Sequence, residues 1–311
     1  MTEAPLYNDV AMGPAAGRAH WLIAPDGIRV RLAVWNAQAP RGTVFLLPGR
    51  TEYVEKYGLA ATTLAAAGYA TLSIDWRGQG MADRALPDRM AGHVGDFAEY
   101  QTDLDTALVF AKARGLPEPY YMLAHSMGGC IGLRHLFRAK AFKAAAFSAP
   151  MWGIVIVNWM RPLTGLIGAA ARIFAFDTRY APGTGPTTYV TDFPFAGNTL
   201  TTDPDMWEYM RQQALAQPAL SLGGPTFGWL RAALNECHAL QQITSPALAA
   251  IVGLGRNERI VDTAPILKRM AKWRGGRLDL YDASEHEVMM ELPAIRDRFL
   301  ASAVALFEAN R

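Results

Sequence analysis

Along this chain, short runs with no continuous polar face alternate with stretches of helical period. TVFLLP (43–48), YATLSID (69–75), YYMLA (120–124) and KAAAFSA (143–149) read as strands buried on both sides of a sheet. Between them, residues 54–68 and 96–114 read as helices that stop at Gly68 and Gly115, and 127–140 reads as the helix after the third strand. Ahead of these runs, 20–37 reads as a hairpin turned at Pro25-Asp26-Gly27. Residues 1–18, rich in Ala, Gly and Pro, read as a loose arm. Strand–helix–strand alternation with short connections predicts an α/β fold with a mostly parallel, doubly wound sheet.

The rhythm breaks over 150–236, which is rich in Pro, Trp, Met and Gly. It resumes with a strand at 246–253, a helix at 263–273, a strand at 277–282 and a helix at 293–309. The simplest organisation is one sheet core in two parts, 1–149 and 237–311. Residues 150–236 are then inserted as a helical cap over the strand ends.

Bulk properties narrow the classes. Of 311 residues, 51% are hydrophobic, which suits a large core. A net charge of +2 with no basic run gives no reason to expect a nucleic-acid partner. Cys130 and Cys237 are the two cysteines, too few for a disulfide framework and without zinc-ligand spacing. The first residues lack a basic and then apolar leader pattern, so a cytoplasmic protein is expected. The strongest apolar stretch, MWGIVIVNWM (151–160), is followed by Arg161, and Arg172 interrupts the next run. Neither run is long enough to span a bilayer, although peripheral contact with the inner membrane surface stays open.

Candidate chemistry centres on 120-YYMLAHSMGGC-130. Ser126 stands where a buried strand meets a helix, a junction that forces a strained turn and exposes the side chain. The bland alternative is a helix cap. A serine needs a base, and in this arrangement the chain order is serine, acid, histidine. His286, in the polar loop DASEHEVMME (282–291), is favoured over His238, which falls in a helical segment. His125 adjoins the serine but reads as a packing residue. In GLGRNERIVDT (253–263), Glu258 is favoured as the acid, and Asp262 has the look of a helix N-cap. The backbone N–H groups of Arg50 and Met127 are the expected oxyanion donors, with Gly49 allowing close approach of the chain to a substrate. The Arg50 side chain either meets an anionic substrate group or pairs with Glu52 or Glu55. DWRGQGMADR (75–84) does not complete a dinucleotide fingerprint and reads as a turn shaping the rim of the site.

Together these residues resemble the α/β-hydrolase superfamily, and within it the lysophospholipase and monoacylglycerol lipase family. The resemblance spans roughly 20–310 and rests on PGRTEYVEKY (48–57), DWRGQGMADR (75–84), AHSMGG (124–129), FSAPM (147–151), GGPTFGWL (223–230), NERIVD (257–262) and EHEVMME (285–291). Pro48 stands where most monoacylglycerol lipases carry His, and Glu258 where Asp is more common. Both departures look more like the bacterial lysophospholipase branch. Ala124 replaces the usual first glycine of the elbow.

The resemblance implies an α/β-hydrolase fold and hydrolysis of a lysophospholipid or monoacylglycerol ester through an acyl-serine. Ser126, His286 and Glu258 would act without metal or cofactor. It also implies an acyl tunnel in the cap, for which Trp152, Trp159, Met160, Phe174, Phe176, Phe193, Phe195, Trp207 and Trp229 are candidates. Trp152 and Trp229 are the ones expected to touch substrate. Two other functions compete: the same machinery acting on small esters, thioesters or amides, and a non-catalytic binding protein on this fold.

Overall fold

The computed structural model describes residues 2–155 and 176–311. Among these, nine strands form one sheet: β1 (Thr2–Ala4), β2 (Arg18–Ile23), β3 (Arg29–Trp35), β4 (Thr43–Leu47), β5 (Ala70–Asp75), β6 (Tyr120–His125), β7 (Ala144–Ser148), β8 (Ala249–Gly255) and β9 (Gly276–Tyr281). The spatial order is β1-β2-β3-β5-β4-β6-β7-β8-β9. The pairs from β1 to β5 are antiparallel, and those from β5 to β9 are parallel.

Alternate residues of the central strands serve two cores. In β4, Phe45 and Leu47 join one layer while Val44 and Leu46 join the other, as the two-residue period of a strand requires. Helices α2 (Gly58–Ala66) and α9 (Pro293–Glu308) cover one face, through Leu64, Phe299 and Phe307. Helices α3 (Ala98–Ala113), α4 (Ser126–Arg138) and α8 (Thr263–Met270) cover the other, through Leu104, Ile131 and Ile266. From β4 the chain moves to β5 on one side and then to β6 on the opposite side. This reversal opens a crevice at the carboxyl ends of β4 and β6, the usual ligand position in such sheets.

Residues 176–248 contain α5 (Tyr189–Asp192), α6 (Pro204–Ala216) and α7 (Phe227–Gln241) and no sheet strand. Asp203 caps α6 by accepting from the N–H of Asp205, and Thr226 caps α7 by accepting from that of Trp229. Among the described residues no helix is long and apolar enough to cross a membrane.

The N-terminal segment is not a loose arm. Strand β1 extends the sheet by pairing with β2, and α1 (Asn8–Ala11) lies against α6. Tyr209 donates to the Ala11 carbonyl at 2.8 Å, and Gln213 to that of Val10 at 2.8 Å. A glycine in the element it docks on permits the close approach of Ala11. A Cβ on Gly58 would lie 1.8 Å from the Ala11 carbonyl oxygen.

Candidate active site

Ser126 sits at the junction of β6 and α4 with φ +46°, a strained value for a residue with a side chain. Close packing of α4 on β4 enforces the turn. A Cβ on Gly128 would come within 2.2 Å of the Leu47 carbonyl oxygen and 2.5 Å of that of Pro48. Ala124 is fully buried and opposite Leu47 and Phe147 in the sheet. The elbow therefore forms with a methyl where glycine is usual.

The loop after β4 is fastened from several sides. The Gly49 N–H donates to the Glu52 carboxylate, and the Gly49 carbonyl accepts from Gln79 at 2.7 Å. Gln79 also reaches the Glu52 carbonyl at 2.9 Å, and the Trp76 indole donates to Pro48 at 2.9 Å. The 75–84 stretch thus supports the loop directly, which its sequence did not announce. With Gly49 occupied, the Arg50 N–H is left without a partner among the described residues. The Met127 N–H lies in the first turn of α4, where helical donors are unpaired.

His286 follows β9. Its Nδ1 lies 2.7 Å from Glu258 Oε2. Glu258 Oε1 accepts from the N–H of Ile260 at 2.7 Å and of Val261 at 3.0 Å. Burial alone would raise the Glu258 pKa. The adjoining imidazole and these hydrogen bonds outweigh it and hold the carboxyl below its usual range. Asp262 instead caps α8, accepting from Ala264 N–H at 3.0 Å. His238 is exposed on α7, away from the cavity. The His286 loop is stapled to residues 199–202: Glu287 N–H donates to the Leu200 carbonyl at 2.8 Å, and Glu291 accepts from the Thr202 hydroxyl at 2.5 Å.

Beside these groups lies a buried charge network that sequence reasoning missed. Lys56 Nζ bonds Glu52 at 2.5 Å and Glu287 at 2.6 Å, and His125 Nε2 lies 3.3 Å from Glu287. His125 therefore does more than pack, although its ring also lies 4.8 Å from that of His286. Burial opposes the His125 charge, but the two carboxylates prevail and raise its pKa. Glu52, His125 and Glu287 are close enough to share a metal ion. The Lys56 ammonium already bonds both carboxylates. A usable signal was present: Glu52 and Lys56 are four residues apart, and Glu287 directly follows His286.

Arg50, Ser126 and His286 line one mostly apolar cavity of about 320 Å³. Trp229 lines it as expected. Trp152 does not: it is buried between Phe147 and Trp273, its indole donating to the Gly129 carbonyl at 3.1 Å. Gly49 does not line it either, because its Cα faces Glu52 and His125. Trp207 is buried against Tyr189 and Phe195, while Phe176, Phe193 and Phe195 are exposed. Trp159, Met160 and Phe174 lie outside the described residues. The apolar wall comes instead from aliphatic residues such as Ile154, Val190, Leu200 and Met210.

A strained serine and a carboxylate-bound histidine lining one cavity, with unpaired N–H groups at Arg50 and in the first turn of α4, suit acyl transfer through a serine. Comparison with known proteins agrees with this chemistry. The family described as serine aminopeptidase, S33, matches residues 38–293. The chain is 32% identical over 298 residues to lysophospholipase L2 of Escherichia coli (strain K12), covering 92% of this chain and 86% of that one. It is 29% identical over 266 residues to the probable lysophospholipase L2 of Haemophilus influenzae, covering 85% and 83%. A soluble variant of the monoglyceride lipase of Saccharomyces cerevisiae shares the fold, with a TM-score of 0.71 over 94% of each chain at 19% identity. The chain therefore belongs to the serine aminopeptidase S33 family of α/β-hydrolase-fold serine hydrolases, among the relatives of lysophospholipase L2.

Proposed function

We propose that this serine hydrolase cleaves the ester of a single-chain lipid, a lysophospholipid or monoacylglycerol, with Ser126, His286 and Glu258 as its catalytic triad. The carrying observation is the 2.7 Å contact of Glu258 with His286 at the wall that Ser126 also lines. Ser126 Oγ attacks the ester carbonyl while His286 takes its proton. Glu258 fixes the imidazole tautomer and stabilises the imidazolium. The N–H groups of Arg50 and Met127 receive the oxyanion. His286 then protonates the leaving alcohol, and water frees the fatty acid from the acyl-serine by the same proton route.

The names of the curated relatives and the aliphatic wall support a lipid acyl chain. In this reading residues 150–236 are a cap, contributing Tyr189, Met210 and Trp229 to that wall. Work at an inner membrane surface from the cytoplasm fits a substrate with one long chain. One observation favours a second reading, a smaller ester or thioester. The cavity of about 320 Å³ is at the low end of ligand pockets, which run from about 300 to 1,000 Å³.

Fatty acid release from lysophosphatidylcholine, from monoacylglycerol and from a short nitrophenyl ester decides between them. Ser126→Ala should lower turnover about 10³- to 10⁶-fold with the fold intact. Turnover of the short ester alone would move the protein to the second reading. Full activity of the variant would remove Ser126 from its role.

A further inference from the structure

Among the described residues, several buried or half-buried arginines hold a carboxylate. Arg31 pairs with Glu55 and Asp75, Arg77 with Asp103, and Arg134 with Glu236. Arg269 lacks a carboxylate but donates to the Ile243 carbonyl at 3.2 Å and the Ser245 hydroxyl at 3.1 Å. Arg50 has one bond, from Nη2 to the Gly223 carbonyl at 2.6 Å. Its Nε is enclosed with no partner. The two carboxylates that could have neutralised it are engaged elsewhere, Glu52 by Lys56 and Glu55 by Arg31. Burial pushes its pKa down to about 10, which leaves the guanidinium charged at neutral pH.

The position has been made for it. The guanidinium carbon lies 5.2 Å from the centroid of the Trp229 ring, and a Cβ on Gly92 would come within 2.6 Å of Nη2. Arg50 and Trp229 share the cavity wall with Ser126 and His286. A half-buried guanidinium with its Nε enclosed and unpartnered favours an anion, above all one that accepts two parallel hydrogen bonds.

Distance along the chain of a substrate selects which anion. The Arg50 N–H is the proposed oxyanion donor, so the guanidinium is one side chain's length from the reacting carbonyl. In a lysophospholipid the phosphate lies one glycerol away from that carbonyl, on the leaving-group side. We infer that the Arg50 side chain binds the phosphodiester of the substrate head group, with Trp229 beneath it, and selects lysophospholipid over monoacylglycerol. This inference rests on the lipid-esterase reading above and narrows it.

The test compares kcat/KM for lysophosphatidylcholine and for monoacylglycerol of the same acyl chain, in the native enzyme, Arg50→Gln and Arg50→Lys. All three keep the backbone N–H. The native enzyme should prefer lysophosphatidylcholine, and Arg50→Gln should lower that preference about 10- to 100-fold, mostly through KM. Arg50→Lys, a point charge without the planar fork, should fall between. Glycerophosphocholine should inhibit nitrophenyl ester hydrolysis by the native enzyme more strongly than by either variant. An unchanged ratio, or equal loss on both lipids, overturns the inference and leaves the lipid-esterase reading standing. If Arg50→Gln does not fold, Arg50→Lys decides, and native-like preference and inhibition in it overturn the inference. A native enzyme that cleaves the nitrophenyl ester and neither lipid overturns both.

Discussion

Glu258 and Asp262 stand four residues apart in one loop and serve different ends. The longer side chain reaches His286 and also gathers two backbone N–H groups, and the shorter one turns back to start α8. Glu258→Gln should therefore lower kcat about 10²- to 10⁴-fold by losing the tautomer control. Asp262→Asn should stay within a few-fold of native, since Asn caps helices nearly as well. The reverse ranking in steady-state kinetics would make Asp262 the acid. A pH dependence follows from the same contact. The folded Glu258 carboxyl lies below its unfolded value of about 4.3. Its ionised form therefore contributes stability in full above that pH and loses it as pH falls through the lower folded value. The Tm gap between native protein and Glu258→Gln should be wide at neutral pH and close as pH falls through the lowered folded value.

The elbow depends on how α4 meets β4 rather than on Ser126 alone. Gly128 permits the approach, and the same strand end leads into the loop carrying Gly49 and Arg50. Gly128→Ala should push helix and strand apart, costing about 1–3 kcal/mol by overpacking. It should also reduce activity, because the serine moves relative to the Arg50 N–H proposed to receive the oxyanion. Calorimetry and kinetics on one preparation check this, and a native Tm with native kcat would show that the junction can relax freely. Strain at Ser126 is tolerated because the surrounding packing holds both sides of the turn.

Across the whole molecule, Arg31 joins segments far apart in sequence. It bonds Asp75 at the end of β5, Glu55 in the turn after the Arg50 loop and the Pro5 carbonyl beside β1. All three charged side chains are fully buried. Burial raises the Glu55 pKa even beside the arginine, which shows how costly an unpaired carboxylate would be there. Arg31→Met should cost about 3–5 kcal/mol in denaturant unfolding because it strands two buried carboxylates. Adding Glu55→Gln and Asp75→Asn should return part of that loss, and strict additivity would argue against a coupled cluster.

Much of this was legible in the chain. Runs without a polar face require a sheet covered on both sides, and strand–helix alternation requires that sheet to be mostly parallel. The Ser126 turn follows from local pattern as well, because a strand-to-helix junction depends on neighbouring residues. The docked N-terminal segment, the burial of Trp152 and the contact of His125 with Glu287 were decided by contacts between distant segments. So was the partner of each charge. Glu52 and Glu55 are the nearest carboxylates to Arg50 in sequence, and both are claimed by Lys56 and Arg31. Periodicity encodes which face of an element is buried, but not which distant group a buried charge will meet. That choice is made when the sheet and the segments around it pack together.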